Sequence, residues 1–385
     1  MEQKRYKLLS FVVLGASLAG CAGSASPAAA PQPTTPPPAT SASPSGGASG
    51  ADTLQALVDG ARKEGQLTLV WGEGLLGGSQ GIPKIAAGFN KHYGLNIKVQ
   101  FTPGPNFQTM GAKVAQEYQT QHPATSDVLN LSDSSMVPLI QAGALVNENW
   151  SWASNIKADS VAPKGEGVVV QTYIAGITYN SKKLTGAAVP KSMQDLLKPQ
   201  YRGRIASTPY ASSFDRLSTP AMWGKQATLD YVQKFAGQIA GLIRCPDAQS
   251  KLLDGEFDLF ALDCNQSNAL RAQSKGGALG FVIPSDAAIL SEVYLTVPKN
   301  AAHPNAAKLW VDYMLSRDAQ DIIFNADFVD SHLLPGSKTA ELVNKYKAQG
   351  VKFLVSDVQF FQQNNLADMR QTLAQIVKIL SKPPA

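Results

Sequence analysis

Apolar positions beyond residue 50 switch repeatedly between two periods. Short β-branched or aromatic runs at 67–71 and 97–101 have the length and composition of buried strands. Between them, apolar residues recur three and four apart. Ile85, Ala86 and Phe89 within 83–93 fall on one face of a helix. The alternation predicts further helices at 53–63, 108–119 and 134–142 and a strand at 127–131. A second set follows: a long extended run at 168–179, strands at 204–207, 242–245, 257–263 and 279–283, and a second extended run at 288–297. Helices are predicted at 193–197, 212–223, 229–240, 248–253, 266–273, 306–315 and 319–324. The last spans 366–380, with Leu366, Met369, Leu373, Ile376 and Leu380 on one face. This repetition predicts an α/β fold with parallel, doubly wound sheets.

Residues 51–385 are more than one hydrophobic core usually serves, so two lobes are expected. Lobe 1 takes 51–175 and 287–325, and lobe 2 takes 180–285. The runs near 173–179 and 288–297 connect them as a hinge over a ligand cleft. The C-terminal segment 326–385 is expected to pack on lobe 2.

Ahead of this body, residues 1–20 read as a signal peptide. Lys4, Arg5 and Lys7 precede a short apolar stretch at 8–16, too short to span a bilayer stably. Leu18-Ala19-Gly20-Cys21 then resembles the bacterial lipobox, which implies lipidation of Cys21; an ordinary secretory signal with a chance cysteine is the alternative. Residues 22–50 contain only Ala, Pro, Ser, Thr, Gly and one Gln. Such a segment buries too little apolar surface to offset its ordering entropy, and is expected to be a tether reaching at most ~90 Å. The expected location is extracytoplasmic, with a lipid anchor as the sole tie to a bacterial membrane.

Composition narrows the function. The chain is 44% hydrophobic and only 16% charged, which excludes a wholly disordered protein. Its formal charge is +5, and losing Lys4, Arg5, Lys7 and Glu2 with the leader leaves 31 basic against 28 acidic residues. So small an excess, without long basic runs, gives no case for nucleic-acid binding.

Four segments carry a family resemblance. They are GITYNSKKL (176–184), VPKSMQDLLKPQYRGRIA (189–206), LDGEFDLF (253–260) and HPNAAKLWVDYMLSRDAQ (303–320). In this order they resemble the extracellular solute-binding proteins of ABC importers, of the type that includes ferric-iron, thiamine, polyamine and phosphonate binders. The resemblance implies a two-lobed periplasmic-binding-protein fold of type II. It also implies a small-molecule or ion ligand, ABC permease subunits as partners, no cofactor, no catalysis and a monomer. Iron-binding members carry adjacent tyrosines after the strand that follows the Gly-Glu turn. Here Cys264-Asn265-Gln266 stand at that place, which puts iron held by paired tyrosines in doubt.

Ligands of doubly wound sheets sit beyond the carboxyl ends of strands. The candidate ligand residues are therefore Glu73 and Gly74 after the first strand, and Ser132, Asp133, Ser134 and Ser135 after the third. Thr208, Tyr210, Ala211, Ser212 and Ser213 follow a strand of the second set, and Asn265 and Gln266 follow another. Free N–H groups at helix starts suit polar or anionic groups. Glu73, Asp133 and Asp263 could complement an amine, and Tyr210 could stack on a ring or ligate a metal. Capping of the same helices is the competing explanation.

Other motifs point elsewhere. Gly72 to Gly77 matches G-x-G-x-x-G, but Gly78, Gly81 and Pro83 are expected to delay the helix a dinucleotide site needs. Gly77 to Gly81 matches G-x-S-x-G, and a hydrolase using Ser79 is the alternative from another class. A sensor or scaffold with a vestigial cleft is a third. Trp150 and Trp152 would face a sugar or pack within a lobe. Cys245 and Cys264 end strands expected to lie side by side, and an oxidising compartment favours a disulfide between them. Separate thiols and a metal pair are the alternatives.

Overall fold

The structure is a computed structural model that describes residues 50–381. The leader, Cys21 and residues 22–49 of the tether lie outside the described residues. Ten strands are described: β1 (Gln66–Trp71), β2 (Lys98–Pro103), β3 (Leu129–Ser132), β4 (Val168–Asn180), β5 (Ile205–Ser207), β6 (Ile239–Leu242), β7 (Leu259–Asp263), β8 (Leu279–Val282), β9 (Ile289–Thr296) and β10 (Leu354–Ser356). The helices are α1 (Gly50–Glu64), α2 (Gly78–Tyr93), α3 (Phe107–Gln119), α4 (Asp133–Gln141), α5 (Phe214–Leu217), α6 (Lys225–Ala236) and α7 (Ala248–Leu253). They continue with α8 (Ser267–Ser274), α9 (Pro304–Met314), α10 (Arg317–Asp327), α11 (Lys338–Ala348), α12 (Val358–Gln363) and α13 (Leu366–Leu380).

Two strands organise the rest. Residues 168–175 of β4 pair antiparallel with β9, and residues 176–180 pair antiparallel with β7 and β8. Its apolar sequence is buried nearly throughout, as a strand covered on both faces requires. At the changeover, a Cβ on Gly176 would lie 2.3 Å from the Phe281 ring, so only glycine fits there. β9 pairs antiparallel with β3 through residues 293–296 and parallel with β10 through 289–291. A parallel bridge from Leu69 to Val128 brings the β1–β2 pair beside β3. Beyond β7 the order continues to β5 and then β6, all parallel.

Two large apolar clusters flank these strands. One joins Leu67, Leu69 and Trp71 of β1 to Ile85 and Phe89 of α2, Trp310 of α9 and Ile323 of α10. The other joins Ile177 of β4, Ile205 of β5 and Leu259 of β7 to Phe214, Val232 and Phe235 of α5 and α6, and to Ile376 and Leu380 of α13. Segment 326–380 touches several parts of the body. Val343 of α11 packs on Ile174 and Leu290. Phe360 and Phe361 of α12 cluster with Val137 of α4 and Met369 of α13.

Several element boundaries differ from the pattern, each for a local reason. α2 opens at Gly78 with Pro83 inside it. Remote carboxylates serve its first turn: Asp327 accepts from the Gly77 N–H and Glu73 from the Ser79 N–H. Of the helix expected at 212–223, only Phe214–Leu217 forms. Pro220 follows within three residues and disfavours continuation. β6 ends at Leu242, so Cys245 opens a 3-10 turn, Cys245–Asp247, with Pro246 unable to donate to a ladder. β6 and β7 do not lie side by side, because β5 runs between them.

Candidate functional site

The loops after β2, β3, β5 and β7 converge over β4 and β9. Between them lies a cleft of about 300 Å³. Ser132, Asp133 and Ser134 line one wall, and Tyr210, Ala211, Ser212 and Ser213 the opposite one. Tyr173 of β4 and Ser291, Glu292 and Val293 of β9 form the floor. The 210–213 wall has an unusual backbone. Ala211 and Ser213 have φ of 49° and 65°, left-handed values that cost a non-glycine residue roughly 1–2 kcal/mol. Thr208 offsets part of this by accepting the Ser212 N–H at 2.7 Å. Tyr210 is held by its phenol, which accepts the Cys245 N–H at 3.1 Å, while 43% of the residue stays exposed at the rim.

A guanidinium ties the two walls together. Nη2 of Arg216 on α5 donates to both oxygens of Asp133, at 2.8 and 2.9 Å, and Nη1 donates to Asp215. Nε donates to Ser356 Oγ at 2.9 Å, and that hydroxyl donates to Asp133 Oδ2 at 2.6 Å. The Phe361 ring lies 5.1 Å from the guanidinium carbon. Asp133 is fully buried, and burial raises its carboxyl above the usual range even against the opposing pull of Arg216. Glu292 accepts the Tyr294 phenol. Burial pushes its carboxyl up to about 7, and Asp357, Asp133 and Asp159 add to the rise.

The remaining sequence candidates divide. Ser135 bonds Ser132 at 2.7 Å and, with Ser134, lines an adjoining cavity among α3, α4 and α13. Gly74 and Asn265 line another cavity of about 440 Å³, which shares Cys264 with the cleft. Glu73, Thr208 and Gln266 turn to internal partners. Glu73 caps α2, and Gln266 is buried between the Ile174 N–H and Thr339. Asp263 is also buried and is bonded by Thr178 and Asn268; burial lifts its carboxyl to about 7.

Cys245 and Cys264 form a disulfide, with Cα atoms 6.0 Å apart. The loops after β6 and β7 reach each other past the end of β5. Trp150 and Trp152 pack against α1 and its neighbours, and their ring N–H groups donate to Gly165 and Glu148. Ser79 donates to the Glu73 carboxylate at 2.7 Å, in place of the imidazole a nucleophilic serine needs. Among the described residues no three His, Cys, Asp or Glu side chains converge as metal ligands.

Sequence reasoning did not single out Arg216, Asp215, Tyr173 or Glu292. Asp215 and Arg216 sat inside the overlong helix prediction. Glu292 did leave a signal: it is the single charged residue in the apolar run 288–297, and charges are rarely buried without a purpose.

The model of the family described as bacterial extracellular solute-binding protein matches residues 125–364. No curated protein matches the sequence. Among solved structures, the substrate binding protein of an ABC transporter from Agrobacterium tumefaciens superposes with a TM-score of 0.66 at 14% identity, over 84% of this chain and 97% of that one. The spermidine/putrescine ABC transporter substrate-binding protein PotD from Streptococcus pneumoniae gives 0.61 at 15% identity, over 82% and 99%. The periplasmic binding protein AfuA from Actinobacillus pleuropneumoniae, with fructose-6-phosphate bound, gives 0.60 at 18% identity, over 83% and 99%. At these identities the likeness is one of fold: a periplasmic-binding-protein architecture.

Proposed function

The chain belongs to the bacterial extracellular solute-binding proteins, and from that premise we propose that it is the substrate-binding component of an ABC importer. It captures a small solute outside the cytoplasmic membrane and hands it to the permease, without itself catalysing a reaction. One observation carries the reading. β4 and β9 run beneath both walls of the cleft, so rotation about these strands moves the Ser132–Ser134 wall against the Tyr210–Ser213 wall. Hinge closure of that kind traps a ligand between domains. The moving bodies are 51–175 with 287–325, and 180–285. The ligand contacts are Ser132, Asp133, Ser134, Tyr210, Ala211, Ser212 and Ser213. Gly74 and Asn265 serve the adjoining cavity.

The monomeric body works in solution while a lipid on Cys21 and the tether keep it near the membrane. No helix among the described residues is long and apolar enough to cross a bilayer. Native mass spectrometry of the protein purified from its host tests the reading. A non-covalent small molecule, one per chain and released on unfolding, is the expected result. A chain carrying no solute and turning over model esters through Ser79 would favour a hydrolase instead.

A further inference from the structure

A second chamber opens off the cleft. It measures about 300 Å³ and lies among α3, α4 and α13. Gln108, Ser134, Asp215 and Leu373 line both spaces, so the chamber adjoins the cleft along that border.

Its walls are apolar but not closed against each other. On α13, Met369, Thr372, Ile376 and Leu380 form the buried stripe. Leu366 and Leu373 lie beside that stripe, stay half-buried and line the chamber. On α3 the lining side chains Ala112 and Ala115 are short and leave the space unfilled, and Ala112 is exposed, as is Pro138 of α4. Packing holds the gap in place. Met369 packs with Val137 of α4, while Ile376 and Leu380 join α13 to Phe214 and Phe235 of α5 and α6. Covering such apolar surface is favourable, and a concave apolar space with a few polar groups has the usual character of a small-molecule site. Arg370, one turn from Leu366 and from Leu373, is the one Lys or Arg lining the chamber. It has no ion-pair or hydrogen-bond partner among the described residues. Asp215, the carboxylate on the border, is already paired with Arg216.

We propose that the solute carries an apolar arm, alkyl or aryl, which runs from the cleft into this chamber and ends in an anion or hydrogen-bond acceptor at Arg370. The inference rests on the solute-binding reading and adds a subsite to that same site. The α3 and α4 walls belong to the body that carries Ser132–Ser134, and α13 packs on α5 and α6 of the other. The arm therefore lies between the two moving bodies, and the closure that traps the rest of the solute also grips the arm.

Fluorescence titration of the solute-stripped protein tests the subsite. The probe is 1-anilinonaphthalene-8-sulfonate, an aryl anion, with acetate, hexanoate and octanoate as competitors. One dye binds per chain. Octanoate displaces it better than hexanoate, by up to about fourfold for each added methylene, and acetate does not displace it. Ala112→Trp fills the chamber from an exposed position and weakens the dye by about tenfold or more; Ala115→Leu gives the same readout if that variant fails to fold. Arg370→Gln weakens the dye by about threefold, the scale of an exposed ion pair. No dye binding, or a dye affinity that neither filling variant alters, overturns the proposal. So does displacement by acetate equal to that by octanoate, and unchanged affinity in Arg370→Gln removes the charged end of the arm. Native mass spectrometry of protein purified from its host separates the two readings. A purely polar solute, retained equally by the parent and by Ala112→Trp, leaves the binder standing and removes the arm. No retained solute and no dye binding removes both.

Discussion

Glu292 is held in the fold by burial that favours its neutral form. Its carboxyl rises from 4.5 to about 7, so the unfolded chain releases this proton at lower pH than the folded chain does. The protonated group's contribution to stability is therefore complete below about pH 4.5 and fades as pH climbs through about 7. Glu292→Gln keeps the neutral shape at every pH. Urea unfolding of the ligand-free variant should show it more stable than the parent at pH 8, by at most about 3 kcal/mol, and level with it at pH 4. An unchanged difference across that range would place Glu292 in a wetter setting. Asp133 and Arg216 behave differently, because each is buried against the other. Arg216→Met strands a buried carboxylate and should cost about 3–5 kcal/mol. The double variant Arg216→Met/Asp133→Asn should recover part of that loss. Equal losses from the single and double variants would mean the pair is not coupled.

Among the elements, the disulfide determines how the cleft rim is held. Cys245 and Cys264 are separated by 19 positions in the sequence, and closing a loop of that length is worth about 3 kcal/mol of chain entropy. Cys245→Ser/Cys264→Ser should lower the unfolding midpoint accordingly. Because the Tyr210 phenol bonds the Cys245 N–H, the same variant should also weaken ligand binding. Weaker stability with unaltered affinity would show that Tyr210 is positioned without the bridge. Sequence patterning placed these cysteines at the ends of two adjacent strands, whereas both lie beyond strand ends and the strands are not neighbours. Strand order is a long-range property, and nothing local reveals that β5 separates β6 from β7. The long crossover run at 168–179 and the helix at 366–380 were legible because many residues repeat one period. The α2 start was not, since its first N–H groups are served by Glu73 and by Asp327, 250 residues away from Gly77. Half of the cleft was legible for a general reason, that polar loops follow strand ends. The floor was not, because residues of a crossover strand line a cleft only once the neighbouring walls are known.

At the scale of the whole molecule, the proposed function requires a lipid anchor on Cys21 and a body that closes on its solute. Cys21→Ala should move the protein from the membrane fraction to the soluble fraction; retention at the membrane would refute the lipid anchor. The body's C-terminal elements add a constraint on closure. Ser356 and Phe361 contact Arg216, and α13 buries Ile376 and Leu380 in the cluster around β5 and β7. Small-angle scattering is the most direct test of solute capture by closure. The protein purified from its host with its solute retained should have a smaller radius of gyration than the same protein stripped of solute and refolded. Identical scattering from the two, with the solute shown to be present in one and absent from the other, would contradict the account.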